Sequence, residues 1–187
     1  MQREIEIRFK ISNEERESIF SVLQDANWNP TTQEETDVYF CNSELVEAGK
    51  SQDSPYVIRI RKSKKGNTLA YKSFSGEGSW VEIESGIEDP DSVRKILEYL
   101  GQAAYLKIEK KRQRGRVGDI EINIDEIKNL GLFVELEIVE GDEERGKKEL
   151  IKFAKEKLGI PEVNIVHKGY VQLMEQFLAE SKKTEDH

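Results

Sequence analysis

The chain has one cysteine, Cys41, and two histidines, His167 and His187, among 187 residues. A single thiol excludes an intrachain disulfide, and so few thiolate and imidazole donors leave a structural zinc site without a ligand set. No apolar run reaches 18 residues and the N-terminus lacks a signal-like pattern, so no membrane span and no export are expected, and a reducing cytoplasmic location is the default. Also missing are a GxxxxGK[ST] loop, a GxGxxG following a strand and an HExxH helix, which removes the common nucleotide-binding and metalloprotease routes. Basic excess is lacking as well: 29 Lys and Arg against 37 Asp and Glu give a net charge of -8, which argues against a protein that coats nucleic acid. The length suits one domain, expected over residues 1–178, with 179–187 as a disordered tail.

What the chain has is charge, 35% of its residues, arranged with clear periods. EIEIRFKI alternates strictly, placing Ile5, Ile7, Phe9 and Ile11 on one face and Glu4, Glu6, Arg8 and Lys10 on the other, the pattern of a half-buried strand. A period change follows, with Ser12 and Glu15 at capping-box spacing before a helical stripe of Ile19, Phe20 and Leu23. TTQEETDVYFCN, YVIRIRK, LAYKSFS and SWVEIES read as further strands, the last two divided by a GEG turn, and ELVEAGKSQDSP as a mobile loop. In DPDSVRKILEYLG, Asp89 caps, Pro90 occupies the first helical position, Val93, Ile96, Leu97 and Leu100 are expected to point inward, and Gly101 ends the helix. AYLKIEKKRQRG, GDIEINIDEI and GLFVELEIVE supply three more strands, and two helices complete the chain.

The second face of these strands is sorted by sign. Residues 57–76 hold Arg59, Arg61, Lys62, Lys64, Lys65 and Lys72 and no acid, whereas 119–144 hold ten acids against Lys128 alone. A closed antiparallel sheet with helices outside and a hydrated, charged interior accounts for that sorting. Such an interior requires a multiply charged guest, because unpaired buried ions are costly. Carboxylates paired at i, i+2 offer hard oxygen ligands to Mg²⁺ or Mn²⁺, and arginine and lysine on other walls suit phosphate oxygens. Together they point to a metal–polyphosphate ligand.

On these residues the chain resembles the CYTH or triphosphate tunnel metalloenzyme superfamily. EIEIR, Glu4 to Arg8, is similar to its ExExK signature, and QEETDVYF, VIRIR at 57–61, LAYK at 69–72, IEKKR at 108–112, INIDEIKNLGLFVELE at 122–137 and HKGYVQLM at 167–174 continue the likeness in order. The resemblance implies an α+β fold, a closed eight-stranded antiparallel β-barrel with flanking helices, acting on a triphosphate with Mg²⁺ or Mn²⁺. It implies Glu4, Glu6 and Glu135 as metal ligands, with Glu137, Asp125 and Glu84 as second-metal or water-organising groups. It also implies Arg59, Lys72, Lys110 and Arg112 as phosphate contacts, with Arg8 in place of the motif lysine and Arg61 and Lys168 as further cations.

The resemblance looks closest to the class IV adenylyl cyclase branch, in which ATP becomes cyclic AMP and pyrophosphate. An inorganic or thiamine triphosphatase is the enzyme alternative, and a non-catalytic metal–triphosphate binding module is another. In either reaction the nucleophile is an oxygen activated by metal, with no single protein base assigned. The implied partner is ATP or another triphosphate compound, with no nucleic acid, no membrane and room for a homodimer. Arg8 departs from the signature, preserving charge but not shape.

Overall fold

A computed structural model describes the backbone of residues 3–74, 80–140 and 142–185, and side chains over 5–73, 81–139 and 142–181. The expected GEG turn at 76–78 and the end of the expected tail lie outside the described residues. The elements run β1 (Arg3–Ile11), α1 (Asn13–Asp25), β2 (Thr31–Asn42), α2 (Ser43–Glu47), β3 (Tyr56–Ser63), β4 (Asn67–Phe74), β5 (Trp80–Ile87), α3 (Pro90–Tyr99), β6 (Gln102–Val117), β7 (Ile120–Ile127), β8 (Gly131–Glu140), α4 (Glu143–Lys157) and α5 (Tyr170–Glu185). The segment read as a mobile loop contains α2 and a single 3-10 turn, Ser51–Asp53. No described helix is long and apolar enough to cross a membrane.

The strands form an eight-stranded sheet in the order β1-β8-β7-β6-β2-β3-β4-β5, and every ladder whose register is described is antiparallel. The expected closed barrel is overturned by this order: the sheet is not closed, and β1 and β5 are its two ends. Closure would require a ladder between those strands, yet the outer edge of β1 is engaged by the C-terminal part of the chain. Val166 N–H donates to the Arg8 carbonyl at 2.8 Å, and Phe9 bridges to Ile165. An edge already bonded this way offers fewer free backbone groups for another strand.

The chain divides into two compact units, Met1–Gln33 with Lys110–His187, and Glu34–Glu109. In the first, β1 pairs with β8, β8 with β7, and β7 with the latter part of β6. Because opposed residues share a face, the registers Arg8↔Glu135↔Asn123↔Arg114 and Phe133↔Asp125↔Arg112 define a polar face. The opposite face carries Ile5, Ile7, Phe9, Ile122, Ile124, Val134 and Leu136, buried together with Ile19 and Leu23 of α1 and Leu150 and Ala154 of α4. The capping box forms as expected, Glu15 N–H donating to Ser12 Oγ at 3.1 Å and Ser12 N–H to Glu15 Oε2 at 2.6 Å. Gly115 is demanded by packing: a Cβ there would stand 2.3 Å from Trp28 Nε1, and the Trp28 ring is buried edge-on to Phe20.

In the second unit, β3 and β4 lie between β2 and β5, and α3 packs on β3 and β4. Phe40, Ile60 and Leu97 form its buried centre, flanked by Val38, Ile58, Leu69 and Val93. Asp89 caps α3 and Pro90 starts it, as the sequence predicts. The expected inward set is only half present, since Ile96 and Leu100 are exposed. On a helix of ten residues the i, i+4 pair Val93 and Leu97 reaches the sheet, and a stripe one residue earlier or three later is turned aside.

Candidate active site

The polar face of the first unit gathers eight side chains around Glu135. Strand pairing brings Arg8 opposite Glu135 and Glu6 opposite Glu137, so four chemically active groups meet through two registered pairs. Arg8 donates from Nη2 to Glu6 Oε1 at 2.8 Å and to Glu135 Oε2 at 3.2 Å, and from Nε to the same Glu135 oxygen at 3.3 Å. Its Nη1 donates to the Lys168 carbonyl at 3.1 Å, and its guanidinium lies 4.1 Å from the centre of the Tyr170 ring. Arg112 makes a two-pronged pair with Asp125, at 2.7 and 2.6 Å, and adds a 3.3 Å bond to Glu135. Tyr170 donates its hydroxyl to Asp125 Oδ2 at 2.9 Å, and the Lys110 ammonium stands 5.8 Å from its ring centre. Asn123 donates to Glu137 Oε1 at 2.8 Å, fixing that carboxylate.

One carboxylate oxygen from each of Glu6, Glu135 and Glu137 lies within 4.8 Å of the others. Three hard oxygen donors at this spacing fit Mg²⁺ or Mn²⁺ and offer nothing to a soft metal. The electrostatics of the pair Glu135 and Glu137 agree with a site prepared for a cation. Burial alone would raise the Glu135 carboxyl, but the charges of Arg112, Arg8 and Lys110 outweigh it and hold the group well below the ordinary range. Burial pushes Glu137 strongly upward, and the neighbouring negative charge of Glu135 adds to it. Tyr170 is pushed up by burial and then by Asp125 and Glu135, so its phenol stays protonated and serves as a donor.

A raised carboxyl pKa means that the folded chain holds the proton more tightly than the unfolded one. The associated stability is complete below the unfolded value and is lost as pH climbs through the folded value. Glu137→Gln removes that loss. In chelator, its melting temperature is expected to equal that of the native protein near pH 4 and to exceed it by roughly 3–6 °C at pH 8, corresponding to about 1–2 kcal/mol. Equal melting curves at both pH values would show that Glu137 is not held under charge stress.

The polar face of the second unit carries its own charge pairs. Arg61 grips Asp37 with two bonds of 2.7 Å and lies 3.3 Å from Glu35, while Arg59 donates to Glu84 at 2.5 Å and Lys72 sits 2.9 Å from Glu82. Arg59 is buried and its Nε has no acceptor among the described residues. Tyr39, also buried, donates to Asp37 at 3.4 Å.

The sequence-derived candidates therefore fall into recognisable places. Glu6, Arg8, Lys110, Arg112, Asp125, Glu135 and Glu137 come together in the first unit; Arg59, Arg61, Lys72 and Glu84 lie on the polar face of the second. Glu4 shares the strand and register of Glu6, opposite Val139, but its side chain is outside the described residues. Lys168 contributes its backbone carbonyl to Arg8. Two partners went unselected, Asn123 and Tyr170. Asn123 alternates with Glu121 and Asp125 on the polar face, which was a usable signal, whereas Tyr170 reaches Asp125 across 45 residues of chain and its role depends on tertiary placement.

With this geometry in view, the comparisons are consistent. A CYTH domain model matches residues 2–170, and the chain belongs to the CYTH domain family. A candidate adenylate cyclase of Methanocaldococcus jannaschii is 28% identical over 176 residues, covering 90% of this chain and 98% of its own. Among solved structures, a conserved hypothetical protein of Pyrococcus furiosus superposes with a TM-score of 0.75 at 25% identity, covering 91% of this chain and 99% of its own. A Hippeastrum protein described as a candidate adenylyl cyclase with dominant triphosphatase activity has a TM-score of 0.63 at 21% identity, covering 90% and 91% of the two chains.

Proposed function

We propose that the protein is a divalent-metal-dependent enzyme that processes triphosphates, of the class IV adenylyl cyclase branch, converting ATP to cyclic AMP and pyrophosphate. The observation that carries this reading is the convergence of Glu6, Glu135 and Glu137 beside Arg8, Arg112 and Lys110 on one sheet face. Oxygen donors beside strong phosphate-binding cations are the parts required for a metal–triphosphate substrate. The similarity to the Methanocaldococcus jannaschii protein supports the cyclase branch.

In this reading Glu4, Glu6 and Glu135 hold Mg²⁺ or Mn²⁺, with Glu137 adjoining. A bound divalent cation supplies charge neutralisation and polarisation of a phosphoryl group. Asp125, with both oxygens engaged by Arg112 and Tyr170, orients Arg112. Arg112, Lys110 and Arg8 bind phosphate oxygens and stabilise the charge that gathers on departing pyrophosphate, with Lys168 lending the carbonyl that steadies Arg8. On the second unit, Arg59, Arg61 and Lys72 are phosphate contacts by chemistry, and Glu84 is the anion that holds Arg59 until a phosphate replaces it. The substrate hydroxyl is the nucleophile, and no protein base is assigned.

A triphosphatase is the second reading, supported by the dominant activity described for the Hippeastrum protein, which shares the fold. Purified protein incubated with ATP, thiamine triphosphate or tripolyphosphate and Mn²⁺ or Mg²⁺ separates the readings. Cyclic AMP with equimolar pyrophosphate from ATP is the expected result. Orthophosphate as the dominant product from all three substrates would establish the triphosphatase instead, and tight binding without turnover would establish a binding module.

A further inference from the structure

Arg8 occupies the position of the signature lysine, and its side chain does something a lysine cannot do equally well. A planar guanidinium spans two carboxylates at once, and Arg8 bonds Glu6 and Glu135, two of the three members of the carboxylate cluster. The geometry points to Arg8 as a resident counter-cation that competes with divalent metal for Glu6 and Glu135 and yields only when a polyphosphate arrives to accept its guanidinium, so that metal is taken up as the metal–polyphosphate complex. This inference rests on the metal–triphosphate reading above and adds to it a rule for the order and coupling of binding.

Four contacts define the resting position. Two are the carboxylates. The third is the Lys168 carbonyl, 3.1 Å from Nη1, and the fourth is the face of Tyr170. The last two bind the guanidinium without drawing on the carboxylates, so Arg8 can leave Glu6 and Glu135 by a side-chain rotation while keeping part of its support. What it loses is charge-assisted bonding to two anions, and phosphate oxygens replace such bonds in the same two-pronged geometry. Metal alone offers no such replacement, since it displaces a cation into a face already holding Arg112 and Lys110. Metal with polyphosphate exchanges all partners together: carboxylates pass to the metal and guanidinium to phosphate. The coupling is reciprocal, as linkage requires.

The test uses Mn²⁺ alone, followed by loss of the hexaaqua electron paramagnetic resonance signal, and the complex of Mn²⁺ with a methylene-bridged tripolyphosphate, followed by calorimetry. Arg8→Met should tighten Mn²⁺ alone by at least about tenfold and weaken the complex by at least about tenfold, shifts of opposite sign and each near 1.4 kcal/mol. A residue that only supports the fold would weaken both, and one that only contacts substrate would leave Mn²⁺ alone unmoved; either pattern overturns the inference. Arg8→Lys covers the case in which the methionine variant does not fold. Its single ammonium cannot span both carboxylates, so Mn²⁺ alone should tighten by about threefold with the complex bound nearly as in the native protein, and no tightening overturns the inference. Glu135→Gln in the same titration distinguishes the underlying reading. If native Mn²⁺ binding is insensitive to that change, the metal site itself is misassigned, whereas sensitivity to Glu135 without the Arg8 effect removes only the counter-cation role.

Discussion

Glu135→Gln is expected to lower Mn²⁺- or Mg²⁺-supported turnover by at least about 100-fold, the loss associated with removing one anionic ligand from a catalytic metal site. The substitution keeps the shape of the side chain and much of its hydrogen bonding, so packing changes little. Electrostatics change more. Arg8 and Arg112 both direct N–H groups at Glu135 Oε2, and removing its charge leaves two guanidinium groups with one fewer anion between them. Triphosphate affinity in chelator should therefore hold or rise while metal-dependent turnover collapses, a split that a simple folding defect cannot produce. Initial rates across a Mn²⁺ titration, with chelator controls, decide the matter. Turnover within a few-fold of the native protein at every metal concentration would remove Glu135 from the metal site.

Much of the site was legible in the sequence because a strand has a period of two. Glu4, Glu6 and Arg8 had to share a face, as did Asn123 with Asp125 and Glu135 with Glu137, whatever the tertiary structure. The local rules for helix entry worked for the same reason: Ser12 with Glu15, and Asp89 with Pro90, act within one turn. Register was not legible. The sign-sorted segments suggested an interior whose ions needed a guest, whereas the ladders place acid beside base: Asp37 with Arg61, Glu82 with Lys72, Asp125 with Arg112 and Glu121 with Arg116. Each pair neutralises locally what the linear sequence had segregated. An incoming anion consequently competes with partners already in place rather than filling an electrostatic void. Closure was not legible either, since the pairing that engages β1 joins Arg8 to Val166, far apart in the chain. Alternating strands specify a two-faced sheet and are silent about its edges.

Local neutralisation sets up the second large effect, which is on stability. Asp125 is wholly buried, and its carboxylate has two strong partners, Arg112 in a two-pronged pair and the Tyr170 hydroxyl. Arg112→Ala is expected to destabilise the protein by about 3–5 kcal/mol, the range for breaking a buried ion pair from one side. Most of that loss comes from the charge left behind, for the phenol donates only one hydrogen bond to a carboxylate with room for several. Arg112→Ala combined with Asp125→Asn should therefore recover about 1–3 kcal/mol relative to the single alanine variant, even though it removes a second native group. Urea unfolding of the native protein, both single variants and the double variant closes the cycle. Additive losses would show that the two residues do not act as a pair, and an unfolding midpoint unchanged in Arg112→Ala would show that the pair carries no stability. The expected coupling has a consequence for function: Arg112 is held in place by the same bonds that keep it from being a free phosphate ligand. Substrate must then draw on its remaining donors while Asp125 retains it, and loss of turnover in Arg112→Ala measures binding and folding together unless the double variant is assayed beside it.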